Sequence, residues 1–253
     1  MFFNTKKEEY HTGRCFVFYS FEFNRQNTHL LFDFLRVYFA DKFNVDYKFA
    51  GYYNESYKEH YGSRRSVWPE MFKETWSNLV NFNFSDRDVR DNNLSVLVEF
   101  IITRPVTLTV VLSEGHSGFD LKDFTKKLFP VFRVVYGFAY RVKIDQWATA
   151  YAYGNWQNVK NVAGVERKSR VNMESWRVNC EKVSQGFFRD IFDENVVSDK
   201  HLQNSLRGKF IKDHILEGLG TLELIVDGIY LWKLQQSELQ KARKIIYKTG
   251  III

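Results

Sequence analysis

The sequence predicts an α+β fold in which an antiparallel or mixed sheet carries helices packed mainly on one face. The first observation is that strand-like and helix-like runs of apolar residues alternate along the chain. The second is a short connection around Pro105, which joins two strand-like runs, Leu94 to Ile102 and Val106 to Leu112. Strands joined so closely are antiparallel, which argues against a doubly wound parallel sheet.

The N-terminal third is predicted to be strand, helix, strand. Residues 14–23 are dense in aromatic and β-branched side chains and end in a polar turn at 24–27. Thr28 is the predicted N-cap of a helix, because apolar residues recur at helical spacing from Leu30 to Phe39. Strand alternation returns over 45–53.

The next segment, 67–82, is predicted to be an amphipathic helix. Beyond the hairpin, a second strand, helix, strand order follows, with the helix over Leu121 to Phe129 and the last strand over Val134 to Val142. This recurrence suggests an internal duplication of strand-helix-strand units. We therefore expect a single α+β domain over 1–253, with 1–105 and 106–253 as related subunits.

The C-terminal third has a different texture. The polar interval 154–170 predicts a long surface loop, and Leu206 to Ile215 predicts a short helix. Asp227-Gly228 predicts a type I′ hairpin turn between strands over 220–225 and 229–234. A terminal helix is predicted to open at Ser237 and to stop at Gly250.

Composition limits the classes of protein to which the chain can belong. Of the 253 residues, 45% are hydrophobic and 26% charged, with three prolines, which is typical of an ordered chain with little linker. Cys15 and Cys180 form no CxxC pair, which favours a reducing compartment. The charged start, without a membrane-length apolar run, predicts a cytoplasmic protein with no membrane partner. A net charge of +6 favours an acidic partner.

The histidine, serine and aspartate side chains of the sequence do not show the spacing of a catalytic or metal-binding site. The glycine-rich loop 114–118 lacks a phosphate-binding pattern, and the adjacent His116 and Ser117 have no third group to orient them. An acidic cluster resembles a calcium loop but is interrupted by arginines and lacks the turn glycine: Asp86, Asp88 and Asp91. The histidines never fall at metal-ligand spacing on one element: His11, His29, His60, His116, His201 and His214. We expect no enzyme activity, no catalytic residue, no metal and no cofactor.

The aromatic inventory points to binding instead. The chain holds 24 Phe, 14 Tyr and 6 Trp, and tyrosines, arginines and a tryptophan crowd one segment with weak periodicity. Such side chains dominate protein interfaces, because each joins a large area to a polar or charged tip. The predicted partner-contact residues are Tyr52, Tyr53, Tyr57, Tyr61, Arg64, Arg65 and Trp68. Two alternatives remain open: that several of them pack beneath a loop, or that they stack on nucleic acid.

One set of residues in the last third resembles a known group of proteins. The set is Phe188-Arg189-Asp190-Ile191-Phe192, Gly220-Thr221-Leu222, Asp227-Gly228, Leu231-Trp232, Leu239 and Arg243. It is similar to the C-terminal end of immunity proteins from bacterial polymorphic toxin systems, which include the contact-dependent and type VI secretion effector-immunity pairs. The similarity covers about a quarter of the chain.

The resemblance implies a cytoplasmic, non-enzymatic protein that binds a cognate protein toxin stoichiometrically and blocks it. Immunity proteins aimed at nucleases are commonly acidic, whereas this chain is basic, so the resemblance leaves the chemistry of the toxin open. The positive charge predicts an acidic contact surface on that toxin. The alternative function is nucleic-acid binding through a basic and aromatic surface.

Overall fold

One long antiparallel sheet forms the centre of the molecule. The computed structural model describes residues 12–56, 59–87, 94–101, 104–114, 116, 118–144, 149, 151–152, 175–176 and 178–253. Ten strands of the described chain pair in the order β11-β12-β8-β7-β1-β6-β5-β4-β2-β3. They are β1 (Thr12–Ser20), β2 (Phe49–Asn54), β3 (Glu59–Ser63), β4 (Leu79–Ser85), β5 (Leu94–Glu99), β6 (Val106–Ser113), β7 (Tyr136–Lys143), β8 (Glu194–Ser198), β11 (Thr221–Val226) and β12 (Ile229–Lys233).

Helices and short segments connect these strands. The helices are α1 (Thr28–Phe43), α2 (Arg64–Met71), α3 (Leu121–Phe132), α4 (Asp199–Leu202), α5 (Ile211–Leu216) and α6 (Gln236–Ile246). A two-stranded ribbon, β9 (Ser205–Leu206) with β10 (Lys209–Phe210), precedes α5. In the part of the chain that the structure describes, 3-10 helices cover Arg25–Asn27, Trp76–Asn78 and Cys180–Gln185. Within the described residues, no helix is both long and apolar enough to cross a membrane.

Apolar cores lie against both faces of the sheet, as the alternating side chains of β1 show. Its side chains alternate, so that Phe16 and Phe18 enter one core while Val17 and Tyr19 enter the other. On the first face, α1, α2 and α3 pack against the strands from β2 to β6. On the second face, α5 and α6 pack against the half that contains β7, β8 and β12. The helices α1, α2 and α3 therefore share one face, and the C-terminal helices α5 and α6 cover part of the other.

The predicted α+β class and antiparallel sheet are confirmed, as are both strand-helix-strand orders. The sheet draws strands from 1–105 and from 106–253, with β1 between β6 and β7. The assignment of one domain with two related subunits stays a prediction. The predicted loop at 154–170 lies outside the described residues.

Three local predictions are wrong. The helix predicted over 67–82 ends at Met71, and the last residues of that segment belong to β4, in which alternating Phe82 and Phe84 are buried on one face. The helix predicted from Leu206 to Ile215 begins only at Ile211, because the residues before it form the β9–β10 ribbon. The hairpin at Asp227-Gly228 is present between β11 and β12, but its turn is not type I′. Gly228 has a positive φ of 72° and Asp227 does not, and the register shifts between Leu224 and Val226.

Candidate protein-binding site

The predicted contact residues lie at one end of the sheet, on the β2–β3 hairpin and α2, but the structure divides them. Tyr52 is 2% exposed, and its ring stacks on His60 with centroids 4.6 Å apart. Trp68 is half-buried and packs edge-on against Phe32 at 5.5 Å. Tyr52 and Trp68 therefore belong to the packing of the first core, as the alternative interpretation allowed.

Of the two arginines, Arg64 is held by contacts within the protein, whereas Arg65 is exposed. Arg64 donates to Asp46 at 2.8 Å, and its guanidinium lies 5.2 Å from the Trp68 ring centroid. Arg65 is exposed, and its side chain makes no ion pair with another described residue. Arg65 is thus available to a partner, whereas Arg64 is held in place. Tyr57 lies outside the described residues.

Tyr53 and Tyr61 lie on the opposite face of the sheet from α2. Together with their neighbours on the paired strands they form a surface that we call the outer face: Phe49, Tyr53, Tyr61, Asn81, Asn83, Leu97 and Glu99. These residues alternate with Tyr52, Phe82, Phe84, Val96 and Val98, which point into the first core. None of the apolar members of the outer face packs into either core of the described chain.

Strand register places the members of the outer face in rows. Gly51 lies between Tyr61 on β3 and Asn83 on β4, and Asn83 lies opposite Leu97 on β5. A Cβ atom on Gly51 would come within 2.8 Å of the Asn83 side-chain nitrogen and 2.9 Å of Tyr61 Cδ2. The Tyr61 ring and the Asn83 amide therefore close over the glycine, and Phe49 stacks on Tyr61 with centroids 6.4 Å apart.

This surface has the composition of a protein-recognition patch. Tyr61, at 49% exposed, offers an aromatic ring with a hydroxyl group, and Asn81 and Asn83 offer amide donors and acceptors. Tyrosine and asparagine are favoured in binding surfaces, because they supply contact area and adaptable hydrogen bonds at low entropic cost. Sequence reasoning identified both tyrosines but missed Asn81 and Asn83, whose alternation with buried Phe82 and Phe84 was the available signal.

One titratable group on the outer face is perturbed. Burial raises the pKa of Glu99 to about 7, and the positive charge of Arg104 opposes this shift only in part. Glu99 lies opposite Asn81 on β4 and Thr107 on β6. The outer face therefore changes its charge close to neutral pH.

Two of the residues that carried the immunity-protein resemblance, Asp190 and Arg243, form the centre of a buried polar network. Asp190 is 3% exposed and accepts from the hydroxyl of Tyr247 at 2.6 Å and from that of Tyr151 at 3.3 Å. Arg243 donates its Nε–H to the Ile191 carbonyl at 2.8 Å and lies 3.7 Å from Asp190. Burial raises the pKa of Asp190, and the charge of Arg243 opposes the shift.

Arg189, adjacent to Asp190, makes a separate set of contacts. Its guanidinium donates to the hydroxyl of Tyr19 at 2.8 Å and to the carbonyl oxygens of Tyr151 and Ala152. It also lies 4.3 Å from the ring centroid of Tyr151 and 4.6 Å from that of Trp176. Arg189 thus binds the chain at 151–152 and at 176 to strand β1.

The remaining residues of the set support the C-terminal hairpin. The indole of Trp232 is fully buried and donates to the Leu219 carbonyl at 2.8 Å. Gly220 has a φ of 88°, and a Cβ there would come within 2.3 Å of the Lys233 carbonyl. Trp232 and Gly220 therefore have structural roles.

The predicted chemical motifs have local structural roles where the structure describes them. His116 Nδ1 lies 3.0 Å from the Ser113 hydroxyl, and Asp86 accepts from the backbone N–H of Leu94. Ser117, Asp88 and Asp91 lie outside the described residues. Cys15 and Cys180 are both buried free thiols. Across the described part of the chain, no three His, Cys, Asp or Glu side chains come close enough to hold a metal ion.

Comparison with known proteins identifies a fold but no family. No protein-family model matches the chain, and no curated protein matches it. Among solved structures, the fold resembles that of the Pseudomonas aeruginosa T6SS protein PA0821, with a TM-score of 0.54 and 9% sequence identity. The alignment covers 93% of this chain and 73% of the other protein. At this identity, the likeness concerns the fold.

Proposed function

We propose that this protein binds a cognate bacterial toxin and neutralises it by stoichiometric sequestration, as an immunity protein. The outer face is the contact surface. The observation that carries the proposal is the set of partly exposed aromatic and amide side chains on a sheet face that neither described core covers. Sequestration of a toxin requires no catalytic groups.

Two further observations support the identity of the partner. The residues that resemble immunity proteins lie far apart in sequence, yet Asp190 pairs with Arg243, and the apolar residues Phe188, Ile191, Trp232 and Leu239 all pack in the second core, as a shared structural unit requires. The fold is also like that of a T6SS protein, and type VI secretion effector-immunity pairs are among the systems to whose immunity proteins the sequence is similar. The resemblance to immunity proteins supports the kind of partner, and the outer face provides the surface that would bind it.

The charges of the outer face favour a protein partner over nucleic acid. Its members on β2 to β5 include the carboxyl group of Glu99 and no lysine or arginine. Nucleic-acid affinity depends on neutralising phosphates with basic side chains, which this face does not supply.

The experiment is co-purification of the tagged protein with the product of the neighbouring upstream gene, followed by a growth-rescue assay. A one-to-one complex and rescued growth are expected from the wild type. Tyr61→Ala and Asn83→Ala should each weaken the complex about tenfold or more, because central contacts in an interface contribute on the order of 1–2 kcal/mol each. Circular dichroism should show an unchanged fold.

The matched control is Leu216→Ala, which truncates a side chain that is 73% exposed on α5, outside the outer face. It should bind as the wild type does. A complex that tolerates both outer-face substitutions would move the interface elsewhere. Failure of the neighbouring product to bind or to inhibit growth would remove the toxin partner, and a steep loss of nucleic-acid binding with salt would then support the alternative function.

A further inference from the structure

The centre of the sheet contains a strand edge that is only partly paired. All eight residues of β7 pair with β1, from Tyr136 to Lys143. On its other side, β7 pairs with β8 only over Gly137–Ala139. Within the described chain, residues 140–143 therefore have no strand neighbour on that side, over roughly 14 Å of backbone.

The direction of the backbone groups follows from the neighbouring strands. The N–H of Leu234 donates to the Asp193 carbonyl at 2.8 Å, so Asp193 turns its backbone toward the β12 side. Because backbone groups alternate along a strand, Glu194 faces β7 and forms a hydrogen-bonded pair with Ala139. The N–H and C=O of Arg141, two residues beyond Ala139, therefore point to the same side as those of Ala139, where β8 no longer runs beside β7.

The departure of β8 from the sheet is built into the structure. The buried side chain of Asn195 accepts from the backbone N–H of Phe192 at 2.9 Å and donates to the Phe192 carbonyl at 2.7 Å. These two bonds satisfy the backbone that has left the ladder and hold it away from β7. The gap beside residue 141 is thus a fixed feature rather than a frayed strand end.

A groove of about 300 Å³ occupies this gap, between the β7 edge and α6. Its apolar wall is formed by Tyr140, Phe192 and Leu239, while Gln236 and Gln240, one helical turn apart, present amide groups from α6. This pattern suits an extended chain, whose backbone pairs with the strand edge while alternate side chains meet the apolar wall and the amides.

The charges around the groove leave one cation without a partner. Arg14, opposite Arg141 on β1, donates to Glu194 at 2.5 Å and lies 3.8 Å from Asp193. Arg243 is paired with Asp190, as described above. Arg141 is exposed and forms no ion pair with the described residues, so a carboxylate on the incoming segment would complement it.

We propose that the free edge of β7 in this groove accepts an extended, acidic segment of another protein as an added strand. The segment continues the line of β8, receives the backbone hydrogen bonds of Arg141, and places a carboxylate beside the Arg141 guanidinium. This site lies on a different part of the sheet from the outer face and does not depend on the proposed function.

The test is selection of a displayed library of random 12-residue peptides on the wild-type protein. Peptides with alternating apolar and polar residues and at least one acidic residue should be enriched. Arg141→Pro should abolish their binding, because proline removes the N–H that faces the groove but leaves the β1 ladder, to which residue 141 does not donate. Arg141→Ala keeps the N–H and should weaken binding only several-fold.

A second measurement covers the case in which the proline variant fails to fold. In the wild type, the backbone amide of Arg141 should exchange quickly with solvent and become protected when a selected peptide is added. No enrichment, equal binding to the proline variant, or an Arg141 amide whose exchange does not change would each overturn the proposal.

Discussion

His201 makes the stability of this protein depend on pH in a way that one substitution can isolate. Its side chain is fully buried, stacked on the Tyr136 ring at 5.0 Å and edge-on to Phe188 at 5.0 Å. Its Nδ1 accepts from the Ser198 backbone N–H at 3.3 Å and lies 2.8 Å from the Ser198 hydroxyl oxygen. Burial lowers the pKa of His201 from 6.5 to about 3, with the nearby charge of Lys200 acting in the same direction.

The sign and size of the effect follow from this pKa. The unfolded chain takes up a proton below pH 6.5, whereas the folded protein keeps His201 neutral down to about pH 3. The stabilisation is complete above pH 6.5 and is lost as the pH falls. Between pH 7 and pH 5, this single group should lower the free energy of unfolding by about 2 kcal/mol.

The perturbation is His201→Asn, in which the amide oxygen can replace Nδ1 as acceptor for Ser198. The variant should lose about 1–3 kcal/mol at every pH, because the stacked ring is gone. Urea unfolding at pH 7 and pH 5 measures the decisive quantity, which is the difference in stability between the two pH values. The loss of unfolding free energy from pH 7 to pH 5 should be about 2 kcal/mol smaller in the variant than in the wild type.

The matched control is His29→Asn, which makes the same change at an exposed position on α1. It should retain the pH dependence of the wild type. If His201→Asn and the wild type lose equal stability between the two pH values, His201 is not held neutral by burial and the reasoning is refuted.

Three further substitutions have definite outcomes. Glu99→Gln should reveal a pH dependence of the opposite sign. Because the pKa of Glu99 is raised in the folded protein, this group favours folding at low pH and opposes it once the carboxyl ionises. Between pH 5 and pH 8, urea unfolding should show that the wild type loses about 1–2 kcal/mol of unfolding free energy that the variant keeps. Arg189→Met should cost about 3 kcal/mol or more, since it removes the buried donor of the Tyr151 carbonyl and leaves the Ala152 carbonyl with the Tyr19 hydroxyl alone; a denaturation midpoint equal to that of the wild type would contradict this. Gly220→Ala should lower the melting temperature, because its Cβ meets the Lys233 carbonyl at a positive φ, whereas Gly118→Ala, which meets nothing within 4 Å, should not.

The sequence predicted well those elements whose periodicity was regular. The apolar spacing from Leu30 to Phe39 lies within α1, and the β-branched run after Pro105 is β6. Prediction failed where two patterns overlapped, as at 67–82. There Pro69 and the residues after Met71 end the helix, and the alternation of Phe82 and Phe84 determines a strand.

The candidate site was only partly predictable for a related reason. Residue type favoured Tyr52 and Tyr61 equally, but adjacent residues on paired strands alternate between faces, so Tyr52 is buried while Tyr61 is exposed. The groove beside Arg141 depends on where β8 leaves β7, which is fixed by side-chain hydrogen bonds of Asn195. Contacts between residues so distant in sequence leave no local pattern.

The most direct test of the account is amide hydrogen exchange on the complex with the cognate toxin. If the outer face is the interface, toxin binding should slow the exchange of backbone amides along β2, β3, β4 and β5, centred on Tyr61 and Asn83. Protection confined to another surface, with these strands unchanged, would contradict the assignment of the outer face as the binding site.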